Sequence, residues 1–136
     1  MIWLLDTNAC IRLLNRRSSE LAENFSRRSA RQIRLCPIVK FELLYGAHKS
    51  QRPLENQKKL ERFFAPLKSL PFDDRCAERA GLLRVSLEKA GRSIGGMDLL
   101  IAATALAYEV VLVTANVDEF SRVPELRWEN WEAQGP

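Results

Sequence analysis

Two short apolar runs, each ended abruptly by polar residues, constrain the fold of this chain more than any other feature. Residues 2–5 lead directly into Asp6, and residues 110–113 lead directly into Thr114. Uninterrupted apolar runs of this length are typical of strands that are buried on both faces, as in a parallel sheet. The sequence therefore predicts a parallel sheet whose central strands end in polar side chains.

Helical segments separate these runs from further short strands. The helices are predicted at 9–16, 19–30, 38–47, 54–64, 74–90, 97–108 and 117–121. Additional strands are predicted at 33–36, 67–72 and 126–128. Strands that alternate with helices favour an α/β fold with a central parallel sheet, here of four or five strands. A length of 136 residues is typical of one domain, so we expect a single domain over 1–136.

The composition excludes several other classes of protein. With 46% hydrophobic and 28% charged residues, the chain is neither disordered nor fibrous. We expect no membrane span, since no apolar stretch reaches about 18 residues, and no signal peptide. Three widely spaced cysteines (Cys10, Cys36 and Cys76) favour a reducing, cytoplasmic setting with buried thiols. The single histidine, His48, argues against a Cys/His zinc site.

Charge is distributed unevenly along the chain. Residues 1–68 contain 14 Lys/Arg and 6 Asp/Glu, a net charge of +8, whereas 69–136 contain 7 and 11, a net charge of −4. A basic half indicates an anionic partner such as nucleic acid. The alternative is that these charges only cover solvated helix faces.

Acidic side chains follow the predicted strands or begin the helices beside them. They are Asp6, Glu42, Asp98 and an acid in the cluster 116–119. In an open parallel sheet the usable crevice lies beyond the carboxyl ends of the strands, so we expect these groups to converge there. Converging carboxylates repel one another unless a cation neutralises them, and oxygen ligands suit Mg²⁺ or Mn²⁺. Such a site supports metal-assisted hydrolysis of a phosphodiester.

Each acid also has an ordinary structural interpretation when taken alone. Asp6 would end its strand in an Asx-turn, Asp98 would complement a helix dipole, and Glu42 would be an exposed helix residue. Only their joint arrangement favours a catalytic site.

Five segments of the chain resemble one known family. They are LLDTN (4–8), FELLYG (41–46), GRSIGGMDLLIAA (91–103), LVTANVDEF (112–120) and RVPELRWENW (122–131). Together they resemble the PIN-domain ribonucleases, and within them the VapC-type toxins of prokaryotic toxin–antitoxin modules. The resemblance implies a three-layer fold with helices around the parallel sheet. It also implies a Mg²⁺-dependent endoribonuclease that acts on RNA and is inhibited by a cognate antitoxin protein.

The resemblance assigns roles to individual acids. Asp6 and Asp98 match the family's metal-binding aspartates, and Glu42 matches the acid on the helix of the second motif. Asn116 matches a position that is Asp or Asn in relatives, and Glu119 matches the acid before the motif's phenylalanine. We expect Asp6, Glu42, Asp98 and Glu119 to be catalytic. Which residue completes the acidic set stays open, the alternatives being Asn116, Asp118 and Glu119.

Other polar residues are expected to support this site. The resemblance indicates that Thr7, Asn8, Thr114 and Asn116 orient the ligands or the phosphate. Arg92 lies beside the loop that leads to Asp98 and either contacts an RNA phosphate or is an ordinary surface arginine.

The expected reaction is attack of a metal-activated water on the phosphate, which leaves a 5′-phosphate and a 3′-hydroxyl. The competing interpretation is a PIN-like module that binds RNA or protein without cleaving. Apolar residues on several helices are expected to serve a homodimer and an antitoxin groove. They are Leu13, Leu14, Phe25, Leu43 and Phe63.

Overall fold

Five parallel strands form the centre of the computed structural model, which describes residues 1–132. The strands are β1 (Trp3–Leu5), β2 (Ile33–Leu35), β3 (Lys68–Ser69), β4 (Val111–Val113) and β5 (Trp128–Glu129). Their order across the sheet is β3-β2-β1-β4-β5, and every neighbouring pair is parallel. The predicted parallel sheet is confirmed.

Seven α-helices connect the strands in the described residues. They are α1 (Thr7–Leu14), α2 (Ser19–Ser26), α3 (Pro37–Lys49), α4 (Pro53–Phe64), α5 (Asp74–Lys89), α6 (Gly96–Tyr108) and α7 (Val117–Phe120). Every residue of β1 and β4 is buried. Strands buried on both faces need helices on both sides of the sheet. The expected three-layer α/β architecture is confirmed.

Most helices begin at an N-capping residue or at a proline in the first turn. Ser18 and Asp73 cap α2 and α5 by accepting hydrogen bonds from backbone N–H groups. Pro37 opens α3 at a position where no N–H is needed, so β2 passes into α3 with only Cys36 between them. Helix α2 ends at Ser26 instead of near residue 30, because a capping box begins at Ser29 and encloses a separate 3-10 turn.

Helix α6 is the most buried helix, as its sequence predicts. Its residues 101–105 are all buried, and the hydroxyl of Thr104 donates to the carbonyl of Leu100 (2.8 Å). All three cysteines are free and buried, as expected. Among residues 1–132 the helices are either too short or too polar to cross a bilayer.

The strand order creates a crevice beside β1. The chain leaves β1 for β2 on one side of it, whereas β4 lies on the other side. Such a reversal is the point at which open α/β sheets bind their ligands, beyond the carboxyl ends of the strands. Asp6 follows β1 and Thr114 follows β4, and the Asp6 amide donates to the Val113 carbonyl (3.1 Å).

Candidate active site

Asp6 lies at the bottom of the crevice and is only 3% exposed. Its carboxylate caps α1 by accepting a hydrogen bond from the Ala9 amide (2.8 Å). Burial raises the pKa of Asp6 to about 6, although hydrogen bonds from Thr114 and Ala9 oppose the rise. The negative charges of Glu132 and Glu42 raise this pKa further. Asp6 is thus a buried acid in a negatively charged surrounding.

Asp98 occupies the first turn of α6 and faces Glu119. Burial is the main cause that raises the pKa of Asp98 to about 7, and the negative charge of Glu119 is the second. Asp6 and Glu42 add smaller repulsive contributions to the same pKa, so all four acids share one electrostatic environment. Asp98 is therefore electrostatically coupled to the other three acids that were expected to approach the strand ends.

Glu119 is held by two donors. Its Oε1 accepts the backbone N–H of Gly95 (2.6 Å), and its Oε2 accepts Nδ2 of Asn116 (2.8 Å). The Gly95 N–H is the main cause that lowers the pKa of Glu119. Glu119 is accordingly the ionised partner of Asp98.

The three candidates for the fourth position differ in their contacts and exposure around α7. Asn116 and Glu119 lie one turn apart and contact each other, whereas Asp118 between them is exposed. Asn116 also donates its backbone N–H to the hydroxyl of Thr114 (2.9 Å), which itself bonds Asp6. The carboxylate that reaches the site from this segment is therefore Glu119, and Asn116 fixes its position.

Glu42 approaches from α3. The hydroxyl of Thr7, at the start of α1, donates to Oε1 of Glu42. This bond ties the first turn of α1 to α3 and orients the Glu42 carboxylate in the crevice. The supporting roles expected of Thr7 and Thr114 have a direct geometric basis.

Two of the expected supporting residues make no such contact. Asn8 and Arg92 are exposed, and neither side chain is hydrogen-bonded within residues 1–132. The arginine that does contact the glycine-containing loop is Arg122, whose Nη1 donates to the carbonyl of Ser93 (2.9 Å). Arg122 is the first residue of the segment 122–131, to which the resemblance assigned no site role.

Glu132 is a further acid that sequence reasoning missed. It pairs with Arg12 of α1 (Nε to Oε1, 2.6 Å), and its charge contributes to the raised pKa of Asp6. No motif includes it, and its approach depends on the path of the chain after β5.

The donor set fits a small divalent cation. None of Asp6, Glu42, Asp98 and Glu119 forms a salt bridge in the part of the chain that the structure describes. No three acidic, cysteine or histidine side chains of residues 1–132 group closely enough to form a complete ligand set by themselves. Mg²⁺ usually takes one or two carboxylates and keeps several waters, so an ion of this kind does not need three protein ligands.

Known proteins resemble this chain in both sequence and fold. Residues 3–126 match the PIN domain family. Ribonuclease VapC2 of Rickettsia felis is 40% identical over 133 residues, which cover 97% of this chain and 99% of the relative. The tRNA(fMet)-specific endonuclease VapC of Salmonella typhimurium is 35% identical and covers 95% of this chain and 97% of the relative.

Solved structures agree with these relatives. The crystal structure of VapBC2 from Rickettsia felis bound to a promoter DNA fragment matches with a TM-score of 0.89 at 40% identity. That match covers 96% of this chain and 99% of the matched chain. DNA-bound VapBC from Salmonella typhimurium matches with a TM-score of 0.91 at 34% identity and covers 96% and 98%. This chain belongs to the PIN-domain family, among its VapC-type members.

Proposed function

We propose that this chain is a Mg²⁺-dependent endoribonuclease and the toxin of a toxin–antitoxin system. Its VapC-type relatives are named ribonucleases, and two of them are named for action on tRNA(fMet). The observation that carries the proposal is the placement of Asp6 and Asp98. Both acids face the crevice at the strand ends, and within the described residues neither forms a salt bridge with a cationic side chain. Burial of unpaired carboxylates costs free energy of folding, and a module that only binds RNA has no use for them.

The proposed reaction is in-line attack of water on an RNA phosphate. The bond from the water oxygen to phosphorus forms while the bond from phosphorus to the 3′ oxygen breaks, and a proton passes to that oxygen. The products carry a 5′-phosphate and a 3′-hydroxyl. Bound Mg²⁺ would supply Lewis-acid activation of water and charge neutralisation at the phosphate; Mn²⁺ is the alternative ion.

The residues divide this work according to their geometry. Asp6 and Asp98 would hold the cation, and Glu119 adds a fixed negative charge beside Asp98. Glu42 is oriented by Thr7 to accept a hydrogen bond from the attacking water. Arg92, on the exposed loop, is proposed to contact a neighbouring phosphate.

The chemistry of the RNA ends tests this reaction. Purified protein with Mg²⁺ is expected to cleave initiator tRNA, the first RNA to try given the relatives' names. The new 5′ ends should ligate to an adaptor without prior kinase treatment, and EDTA should abolish the cleavage. Cyclic 2′,3′-phosphate ends would show that the ribose hydroxyl attacks instead, and would overturn the proposed mechanism.

The antitoxin is proposed to occupy an apolar groove between α1, α2 and α4. Leu13, Leu14, Phe25 and Phe63 line this groove of about 460 Å³, and the rings of Phe25 and Phe63 lie 6.4 Å apart. Leu43, which was grouped with them, is 5% exposed and belongs to the core, so that part of the expectation is wrong. The related structures are VapBC complexes, which supports a protein partner.

The homodimer is proposed to use a different surface. Large apolar side chains are exposed on α3 and α5, where a second copy would cover them. They are Phe41 (57%), Tyr45 (58%), Leu82 (70%) and Val85 (49%).

One substitution separates these two surfaces. Ala22 is exposed and lines the antitoxin groove, away from α3 and α5. An Ala22→Arg variant is expected to bind the antitoxin at least about tenfold more weakly, because the new side chain fills the groove. Light scattering should give twice the monomer mass for both the parent and the variant. Unchanged antitoxin affinity would contradict the groove, and a monomer mass would contradict the dimer.

A further inference from the structure

A separate cavity opens beside the proposed catalytic crevice. It has a volume of about 280 Å³, lies between α1, α3 and α4, and includes Glu42 in its wall. Its apolar surface comes from Ile11, Leu14, Leu43 and Leu60. Asn15, Asn56 and Lys59 supply polar groups to the same cavity. An apolar cavity with a few converging polar groups is the general form of a small-ligand site.

Gly46 lies in the wall of this cavity, and neither packing nor backbone geometry accounts for a glycine at this position. It lies inside α3, where glycine weakens a helix relative to alanine. A Cβ added at Gly46 would meet no atom within 4 Å, and Gly46 has no positive φ that would require glycine. Packing and backbone geometry therefore give no reason for glycine here. The missing side chain does leave the cavity wall open, one helical turn from Glu42 and about 6 Å along the axis.

We propose that this cavity binds one nucleobase of the RNA substrate, next to the phosphate that is cleaved. The inference rests on the proposed function and adds a base-recognition subsite to it. Single-stranded RNA is recognised when unstacked bases enter pockets and form hydrogen bonds there. The volume is close to the lower end of the range for small-ligand sites, about 300 Å³, which suits one ring system and not a helix.

The polar groups of the cavity match a nucleotide. Nδ2 of Asn56 donates to the hydroxyl of Ser50 (2.8 Å), which fixes the amide and leaves its carbonyl oxygen to accept from a base. Lys59 is exposed and offers a cation to the adjoining phosphate. All the residues that line the cavity belong to 1–68, whose net charge is +8, and this charge favours an anionic ligand. Continuity with Glu42 places a base bound here beside the reacting phosphate.

A matched pair of glycine substitutions tests this assignment. Gly81 is also an exposed glycine inside a helix, and a Cβ there also meets nothing within 4 Å, but it lies on α5 outside the cavity. Gly46→Leu and Gly81→Leu are made in the Asp98→Asn background, so that binding is measured without cleavage. The probe is a set of four fluorescein-labelled RNA octamers that differ at one central nucleotide, read by fluorescence anisotropy.

Gly46→Leu is expected to raise the Kd for the preferred octamer at least about tenfold and to remove the difference between the four bases. Gly81→Leu is expected to leave both unchanged, and Gly46→Ala to give a smaller weakening. Thermal melting of each variant at or above the temperature of the parent shows that the fold is retained. Equal affinities for Gly46→Leu and Gly81→Leu would overturn the proposal.

Two further outcomes are distinct from this result. If Gly46→Leu lowers antitoxin affinity and leaves RNA affinity unchanged, the cavity belongs to the protein partner and the base subsite is wrong. If wild-type protein fails to cleave RNA while the glycine pair differs as expected in binding, the proposed nuclease activity fails and the base subsite stands.

Discussion

The Asp6→Asn variant is expected to lose RNA cleavage by on the order of 10³-fold, the loss typical of a single electrostatic group in an active site. It is also expected to unfold at a higher temperature than the parent protein at pH 8 without metal. Asn is as good a helix cap as Asp, so the hydrogen bond from the Ala9 amide is retained. What the substitution removes is a buried negative charge with no salt-bridge partner in the described residues. A substitution that raises stability and lowers activity indicates that the original residue is retained for function at the expense of stability.

Asp98→Asn is expected to behave in the same way, and Asp118→Asn provides the matched control. Asp118 is an exposed acid beside Glu119, and within residues 1–132 its side chain forms no hydrogen bond or salt bridge with the other site residues. Single-turnover rates with a labelled RNA measure the loss, and thermal melting measures the stability. Full activity of Asp6→Asn or Asp98→Asn at saturating Mg²⁺ would remove that residue from the mechanism.

The stability of the metal-free protein is expected to fall as the pH rises from 4 to 8, relative to the Asp6→Asn variant. The pKa of Asp6 in the folded protein is about 6, above its ordinary value of 3.8, because the side chain is buried. The folded state therefore holds the proton more tightly than the unfolded state does. Stability from this group is complete below pH 4 and is lost as the pH rises through 6. The expected loss is about 2 to 3 kcal/mol.

Urea unfolding of both proteins in EDTA, at several pH values, measures this loss as a difference. The difference between the parent and Asp6→Asn cancels every titrating group that Asp6 does not influence, and it includes the effect of the Asp6 charge on the pKa of Asp98. Added Mg²⁺ at pH 8 should stabilise the parent more than the variant, because an ion that binds the folded state shifts the unfolding equilibrium. A difference that stays constant from pH 4 to 8 would contradict the environment described for Asp6.

The crevice could be predicted because parallel sheets leave few choices. An apolar run followed by Asp6 and a second run followed by Thr114 place both polar residues at the same edge of the sheet. Asp98 lies at the start of an almost entirely apolar helix that leads into β4. The start of such a helix lies at the same edge of the sheet as the carboxyl end of the strand. Capping chemistry at Ser18 and Asp73 fixed two helix starts within one residue.

The choice between Asp118 and Glu119 depended on a short element. Helix α7 is a single turn, so residues three apart, Asn116 and Glu119, lie on the same side and Asp118 points away. A helix was predicted at 117–121, and helical spacing within it favours Glu119, which lies three residues after Asn116. Glu132 offered no comparable signal, since its position depends on how the chain returns to α1 after β5.

Surface exposure was the least predictable property. Leu43 is in the core whereas Phe41 and Tyr45 are mostly exposed, although all three are apolar residues of α3. The apolar residues of α3 are distributed over all faces of the helix. Its sequence therefore does not indicate which face packs against α1 and α4. The edge strands were similarly uncertain: strands were predicted at 67–72 and 126–128, whereas β3 and β5 have two residues each at the two edges of the sheet.

We propose that Asp6 and Asp98 hold one divalent cation between them. Anomalous diffraction from crystals of the protein grown with Mn²⁺ tests it most directly, because manganese can be located independently of the protein atoms. An anomalous peak is expected within coordination distance of both carboxylates. A crystal saturated with Mn²⁺ whose peak contacts neither aspartate, or only one of them, would contradict it.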